Sequence, residues 1–224
     1  MHTIAFLTQK GGAGKTTLAA SLAVAAAGAG EKVIALDLDS QGSLARWAER
    51  RKAANAANTV VIEPFESERL SRLPIILEGL AGVGFTLAVF DTAGADSAAI
   101  RLVTESADLC LLPARPTRLD VDATAATFRA VFLAKRKAAF VLNQCPPAQQ
   151  TARVEQGAEA LEAMGGLITP LVLSRVDYQE ASRAGLGVTE WHPSGAAAEE
   201  MKAMWASIKR RLARRAKSPS RRAA

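Results

Sequence analysis

The sequence predicts an α/β fold in which helices cover both faces of a mainly parallel sheet. Short apolar runs typical of buried strands alternate with longer segments of helical character along most of the 224 residues. The composition agrees with this prediction, because 49% of the residues are hydrophobic, only 5% are aromatic, and alanine fills many positions. For a chain of this length, a single domain over 1–216 is the simplest arrangement.

The first predicted strand, 3–8, runs directly into a glycine-rich loop. The loop reads QKGGAGKTT over 9–17, and a helix predicted over 15–29 follows it. Glycines allow the backbone to curl with its N–H groups inward, which suits a polyphosphate, and the helix N-terminus adds partial positive charge. Lys15 is placed to reach the β- and γ-phosphates, and the Thr16 hydroxyl to ligate Mg²⁺. The residues predicted to bind the nucleotide here are Gly11, Gly12, Ala13, Gly14, Lys15, Thr16 and Thr17.

One position of this loop departs from the general P-loop pattern. Gln9 stands where that pattern has glycine, six residues before the lysine, and the loop matches instead the deviant form KGGxGK[ST], which Lys10 opens. On this motif the chain resembles the ParA/MinD family of dimeric ATPases. The resemblance implies a P-loop NTPase fold of the deviant Walker A class, ATP and Mg²⁺ as cofactors, and a homodimer formed on ATP binding. It also implies that Lys10 acts in catalysis with Lys15, by reaching the nucleotide of the partner subunit.

Two carboxylates follow the next predicted strand, 32–38. Asp37 and Asp39 come at its C-terminal end, and in open α/β sheets ligands lie just beyond the carboxyl ends of the strands. The run DLDSQGS resembles the DxDPQGS segment of the family, with Ser40 in place of the usual proline. We expect Asp39 to orient the attacking water and Asp37 to support the metal shell, the exchanged assignment being the alternative. Taken alone, the same acidic turn could simply cap the next helix.

The remaining elements alternate in the same manner. They are predicted as a helix over 43–57, a strand over 60–63, a helix over 66–80 interrupted or started near Pro74, strands over 85–90, 108–113 and 138–143, a helix over 154–164, and an extended run over 167–173 broken by Pro170. The run SLARWAERR resembles small plasmid-type ParA partition proteins, and SRVDYQEASRAGLGVTEW resembles the family's mobile loop and helix near the nucleotide.

An aspartate closes the strand predicted over 85–90. This Walker B arrangement places the carboxylate of Asp91 where it holds Mg²⁺, usually through water. The residues predicted to bind the metal are Thr16, Asp37 and Asp91.

Two polar positions later in the chain have alternative interpretations. Asn143 ends a strand and matches by position the asparagine that contacts adenine in the family, but an asparagine there could equally make a turn. The run PTRLDVDAT resembles the stretch that leads into the family's dimer-facing helix, so Asp120 and Asp122 are either helix caps or interface contacts.

The basic charge is concentrated at the C-terminus. The formal net charge is +6, yet residues 201–224 hold nine basic groups and no acid, which leaves −3 for the rest. Such a block favours an anionic partner, either nucleic acid or acidic lipid. We expect a disordered basic tail over 217–224. The residues predicted to bind DNA are Arg175, Arg183, Lys209, Arg210, Arg211, Arg214 and Arg215.

Several classes of protein are disfavoured by what the sequence lacks. Cys110 and Cys145 have no CxxC spacing and no histidine cluster near them, which argues against a zinc or iron–sulfur site. No apolar run has membrane-spanning length and no signal peptide is visible, so a cytoplasmic, nucleoid-associated location is expected. Only two residues precede the first predicted strand, so no operator-reading domain is expected there.

Together these features predict a slow Mg²⁺-dependent ATPase that binds DNA of any sequence and partitions or positions DNA or another large cargo. A ParB-like or other small adaptor is the expected partner that stimulates it. One alternative is a MinD-like membrane-positioning ATPase, because an apolar stripe in the last helix could meet lipid instead of packing on the body. The stripe consists of Met201, Met204, Trp205, Ile208 and Leu212. A metabolic synthetase is the other alternative, and it would need an additional substrate pocket.

Overall fold

A computed structural model describes residues 1–57, 59–94, 97–147 and 151–213. In this part of the chain six strands form one sheet in the order β3-β2-β4-β1-β5-β6, and every neighbouring pair is parallel. The strands are β1 (His2–Phe6), β2 (Val33–Leu38), β3 (Val60–Pro64), β4 (Leu87–Thr92), β5 (Leu109–Ala114) and β6 (Ala138–Leu142). The predicted α/β fold with a parallel sheet is confirmed.

Helices cover both faces of this sheet. They are α1 (Lys15–Gly28), α2 (Ser43–Ala53), α3 (Leu73–Gly82), α4 (Ser97–Ser106), α5 (Arg118–Leu133), α6 (Ala152–Gly165), α7 (Val176–Arg183), α8 (Val188–Trp191) and α9 (Ala196–Ala213). One apolar cluster joins the sheet to α1, α2 and α7–α9, and a second joins its other face to α3–α6. The inner strands are therefore apolar on both sides, since each side chain faces one of the two helical layers.

Several segments outside the motifs show where the predictions held and where they failed. The helix over 66–80, predicted to be interrupted or to start near Pro74, does divide there into a 3₁₀ helix, Ser67–Arg72, and α3, with Pro74 in the first turn where its missing N–H costs nothing. Helix α4 was not predicted at all. The extended run over 167–173 makes only the isolated bridges Phe140–Leu167 and Cys145–Leu173 along β6, because Pro170 lacks the N–H that a continuous ladder requires.

The apolar stripe of α9 packs against the body of the domain. Met201, Met204 and Ile208 have no exposed surface, and Trp205 and Leu212 are also buried. Burying side chains of this size stabilises the fold by roughly 1.5–3 kcal/mol each, which inserting them into lipid would forfeit. Among the described residues, no helix has the length and apolarity needed to cross a membrane. The packing interpretation of this stripe is thus the correct one.

Both cysteines belong to the apolar interior. Cys110 and Cys145 are buried free thiols, and burial raises their pKa values to about 12 and about 11. A thiol that stays protonated is a poor nucleophile and metal ligand. Their structural interpretation agrees with this environment.

Candidate nucleotide-binding site

The glycine-rich loop follows the carboxyl end of β1, which is a central strand of the sheet. Gly12 and Gly14 have φ values of 78° and 87°, in the left-handed region that glycine adopts without strain. Helix α1 begins at Lys15 with no side-chain cap and no acid in its first turn. The first N–H groups of α1 are thus left for an anion, as the sequence predicts.

Two side-chain amides beyond β6 hold the outside of this loop. Asn143 Nδ2 donates to the Ala13 carbonyl oxygen at 2.8 Å, and Gln144 Nε2 donates to the Gly12 carbonyl oxygen at 2.9 Å. A Cβ atom on Gly14 would lie 2.4 Å from Asn143 Nδ2, so only glycine fits. Asn143 was predicted to contact adenine, which stays a prediction, while its amide is engaged with the loop. Sequence reasoning missed Gln144, whose signal was its place beside Asn143.

Two cavities meet at Gly14 and Thr17. The first, of about 480 Å³, is lined by the glycine loop, Lys15, Thr16 and Asp39. The second, of about 340 Å³, lies on the side of β6 and is lined by a mixed set of polar and apolar residues that includes Leu18, Asn143, Gln144, Leu173, Arg175 and Tyr178. We call the first the phosphate cavity and the second the base cavity, after the groups that the sequence predicts for the glycine loop and for Asn143.

The predicted carboxylates lie close to one another: Asp39 lines the first cavity, and Asp91 interacts electrostatically with Asp37, Asp39 and Lys15. Asp37 and Asp91 are register partners on β2 and β4. Asp91 is completely buried, and neither of its carboxylate oxygens has a hydrogen-bonding partner of standard geometry. Burial raises the pKa of Asp91 to about 7, which outweighs the lowering effects of the Thr16 hydroxyl and the Lys15 ammonium group. A buried carboxylate without a partner fits a divalent cation, whose charge would keep it ionised.

Asp37 and Lys15 are the other two groups predicted to act near the phosphates, and each interacts with specific neighbours. Asp37 accepts the backbone N–H of Asp39 at 3.1 Å and that of Ala45 at 2.8 Å, so it also shapes the turn that precedes α2. Its metal role remains a prediction. Burial lowers the pKa of Lys15 from its ordinary value, although the nearby carboxylates of Asp91 and Asp39 oppose this shift.

Two arginines of α2 line the phosphate cavity. They were not predicted as site residues from the sequence. The Arg46 guanidinium donates to the Gln41 carbonyl oxygen and, at 3.1 Å, to Ser43 Oγ. Arg50 Nε donates to the Ser182 carbonyl oxygen at 3.2 Å, which joins α2 to α7. The run SLARWAERR contains both, but its residues carry no motif that reveals which of them face a ligand.

Lys10 lies away from the phosphate cavity. Its Nζ atom is 2.7 Å from Asp120 Oδ1, and the Asp120 side chain is only 2% exposed. Arg115 Nε and Thr117 Oγ1 donate to the other oxygen at 2.9 and 2.6 Å. Burial opposes ionisation of Asp120, but the hydrogen bonds from Arg115, Lys10 and Thr117 outweigh it and lower the pKa to about 2. In this chain Lys10 is thus bound to Asp120 of the same chain.

The start of α5 shows what Asp120 contacts within the chain. Thr117 is the N-cap of α5, and its side chain accepts the backbone N–H of Asp120 at 3.2 Å. The cap of α5 is therefore Thr117, and the Asp120 carboxylate supports it by accepting the Thr117 hydroxyl. A role of Asp120 at an interface stays a prediction. Asp122, by contrast, is exposed and pairs with Arg118 at 3.4 Å.

Among the described residues, those predicted to bind DNA lie in two separate places, around α7 and at the end of α9. Arg175 pairs with Glu200 at 2.6 Å beside the base cavity, and Arg183 is 80% exposed on α7. Lys209 pairs with Glu31, which precedes β2. The end of α9 therefore lies beside the amino end of β2, on the side of the sheet opposite to the glycine loop. Arg210 is exposed and Arg211 donates to the Leu167 carbonyl oxygen at 2.7 Å. Arg214, Arg215 and the tail over 217–224 lie outside the described residues.

The fold and the site together define a P-loop NTPase of the deviant Walker A class. The family model described as VirC1 protein matches residues 1–184. The chain belongs to this family, within the ParA/MinD ATPases.

Two named relatives align over much of the sequence. The maintenance of carboxysome distribution protein A of Gloeobacter kilaueensis is 35% identical over 206 residues, 87% of each chain. Protein VirC1 of Rhizobium rhizogenes is 34% identical over 131 residues, 58% of this chain and 56% of that protein.

Solved structures share the fold at lower identity. McdA from Cyanothece in its apo form has a TM-score of 0.76 at 18% identity, covering 95% of this chain and 99% of that one. MinD from Pyrococcus horikoshii with Mg-ADP has a TM-score of 0.75 at 18% identity, covering 97% and 99%. A Cyanothece McdA variant in complex with ATP has a TM-score of 0.73 at 17% identity, covering 95% and 96%.

Proposed function

We propose that this protein is a Mg²⁺-dependent ATPase that acts as a nucleotide-switched homodimer, binds DNA without sequence preference, and positions DNA or another large cargo. The observation that carries the proposal is the fully buried carboxylate of Asp91, whose oxygens have no hydrogen-bonding partner of standard geometry and which lies beside Thr16 and Lys15. ATP and Mg²⁺ are the cofactors that complete such a site. The ATP and Mg-ADP complexes of McdA and MinD support the same pair.

The chemical tasks are divided among residues of the phosphate cavity. The loop N–H groups and Lys15 hold the phosphate chain, while Thr16 and Asp91 would hold Mg²⁺ with support from Asp37. When bound, Mg²⁺ neutralises charge on the β- and γ-phosphates. Asp39, on the wall of the same cavity, would orient the attacking water, because a carboxylate there can accept a proton from it.

The dimer completes the positive charge around the phosphates. In one isolated subunit Lys10 is bound to Asp120, so Lys10 of the partner subunit supplies the missing cation. Catalysis by such a group depends on its position, which makes turnover slow until two subunits meet and an adaptor stabilises them. ATP hydrolysis per subunit should therefore rise with protein concentration and stop when EDTA removes Mg²⁺. A rate per subunit that is independent of concentration would contradict the dimer.

Asp120→Asn is expected to strengthen ATP-dependent dimerisation. The amide keeps the size of the carboxylate but removes the charge that retains Lys10, so less energy is needed to transfer Lys10 to the other subunit. We expect the dimer dissociation constant, measured by analytical ultracentrifugation with ATP, to fall about five- to tenfold, a change of roughly 1 kcal/mol.

Asp122→Asn is the matched control for this variant. Asp122 lies on the same helix but is 62% exposed and pairs only weakly with Arg118, so its neutralisation should leave dimerisation unchanged. Equal dimerisation of Asp120→Asn and the parent protein would show that Asp120 does not retain Lys10.

The cargo and adaptor are inferred from the family. A relative maintains carboxysome distribution, as its name states, and positioning of a large assembly on the nucleoid is the corresponding proposal for this chain. A small ParB-like or other adaptor would link cargo to ATPase. The buried stripe of α9 removes the observation that favoured a MinD-like membrane anchor.

DNA binding is proposed to be electrostatic and independent of base contacts. Lys135 and Arg136, both exposed, extend the basic set. They lie between the end of α5 and the start of β6. Both cations therefore lie at the amino end of β6, on the side of the sheet opposite to the glycine loop.

The salt dependence of DNA binding should identify which cations touch phosphate. Removing one cation that pairs with a DNA phosphate should flatten the slope of log affinity against log salt by about 0.9 on duplex DNA. We expect flattening for Arg183→Gln, for Arg210→Gln and for a truncation after Ala216, each measured with ATP. Arg101→Gln, an exposed arginine on α4, is the control. Unchanged slopes in all three variants would remove these residues from the DNA surface.

A further inference from the structure

The carbonyl groups of the glycine loop show how the direction of its N–H groups is held. In a planar trans peptide group the C=O and N–H bonds point in opposite directions, and among the described residues the only cis peptide bond joins Thr169 to Pro170. A loop that turns its N–H groups towards a phosphate chain must therefore turn the matching carbonyls outward. The Ala13 carbonyl is buried and needs a donor, because unpaired buried backbone groups are costly, whereas Gly12 is exposed.

Asn143 and Gln144 supply these donors to two consecutive peptide groups. The Gly12 carbonyl, which Gln144 holds at 2.9 Å, belongs to the same peptide group as the Ala13 N–H. The Ala13 carbonyl, which Asn143 holds at 2.8 Å, belongs to the same peptide group as the Gly14 N–H. Each side-chain amide therefore fixes the direction of one N–H group of the phosphate cradle.

The backbone after β6 is shaped to deliver both amides. The Asn143 N–H donates to the Ala114 carbonyl oxygen at 2.8 Å, which anchors this position to β5. Gln144 has φ 56°, a left-handed conformation that a residue with a side chain adopts at a cost. The Cys145 N–H then donates to the Val172 carbonyl oxygen at 3.0 Å. Held on both sides in this way, the turn directs two successive side chains onto the loop.

We propose that Asn143 and Gln144 are positioning residues that aim the N–H groups of Gly14 and Ala13 into the phosphate cavity. They thereby set affinity for the phosphate chain itself, independently of any contact with the base. The inference rests on the proposed binding of ATP at this loop. Because Asn143 is buried and Gln144 is exposed, the Asn143 hydrogen bond contributes more.

Inorganic tripolyphosphate with Mg²⁺ tests this role, because it has phosphates but no base. Asn143→Leu and Gln144→Met remove the donors without adding charge. We expect Asn143→Leu to weaken tripolyphosphate and ATP by the same factor, about three- to tenfold, and Gln144→Met by about two- to fivefold, in isothermal titration calorimetry. Gln156→Met, on the exposed face of α6, is the control with unchanged affinity.

Backbone amide resonances give a readout that a general loss of stability would not produce. In the parent protein tripolyphosphate should shift the Ala13 and Gly14 N–H signals. Asn143→Leu should diminish the Gly14 response and leave Ala13 nearly intact, whereas Gln144→Met should do the reverse.

The outcomes separate this inference from the proposed function. Loss of ATP affinity with unchanged tripolyphosphate affinity would assign Asn143 to the base and overturn the positioning role. Unchanged affinity for both ligands in both variants would also overturn it while leaving the ATPase intact. A parent protein that binds neither ligand would overturn the proposed function and the inference together.

Discussion

Lys15→Ala is expected to abolish ATP binding, whereas Lys10→Ala is expected to bind ATP but fail to dimerise or hydrolyse it. The two lysines lie in the same loop but have different surroundings. Lys15 lines the phosphate cavity and interacts with the carboxylates of Asp91 and Asp39. Lys10 points instead to Asp120, 2.7 Å away. Their contributions to binding and to catalysis should therefore separate cleanly.

The size of each effect follows from the interaction that the substitution removes. Removing a charged donor from the phosphates should weaken ATP binding by about 100-fold in Lys15→Ala. Removing a cation that acts only in the assembled site should lower hydrolysis by about 10²- to 10³-fold in Lys10→Ala. Equilibrium binding of labelled ATP and light scattering would measure the two properties. The control is Lys52→Ala, since Lys52 is exposed on α2. Normal ATP-dependent dimers of Lys10→Ala would refute the role in the partner subunit.

Asp39→Ala is expected to trap an ATP-bound dimer, which is the second large effect. The change removes a carboxylate from the wall of the phosphate cavity but leaves the glycine loop, Lys15 and Asp91 in place. ATP should bind with near-normal affinity and hydrolysis should fall by about 10²-fold or more, because proton transfer from a positioned water contributes about that much.

Asp91→Ala provides the contrast. It removes the buried carboxylate that fits Mg²⁺, so the Mg²⁺ concentration required for ATP binding should rise, and dimers should be lost rather than trapped. Size-exclusion chromatography with ATP, together with a titration of Mg²⁺, distinguishes the two variants. Hydrolysis by Asp39→Ala at the parent rate would transfer the water-orienting role to another group, with Asp37 as the first candidate.

Much of the site could be predicted because its parts are local in sequence. The loop 9–17 sets the lysine, threonine and glycine positions within one turn, and Asp37 and Asp91 each close an apolar run. The carboxyl ends of parallel strands share one side of the sheet, which is why both carboxylates could be expected near the phosphates. Their register partnership depends on the pairing of β2 with β4, which the structure supplies. The predicted DNA-binding residues that the structure describes do not form one surface. No local sequence pattern indicates at which side of the sheet a helix ends.

The sequence by itself determined the class of fold, the phosphate loop and the identity of the chemical groups, since apolar periodicity and short motifs are properties of neighbouring residues. Only the tertiary structure decided which groups these residues meet. Asn143 and Ala13 are 130 positions apart, and Lys10 is comparably distant from Asp120. Contacts of this kind arise from the order in which strands join the sheet, with β5 and β6 placed beside β1. That order reflects the packing of two helical layers over the whole chain, which no single segment encodes.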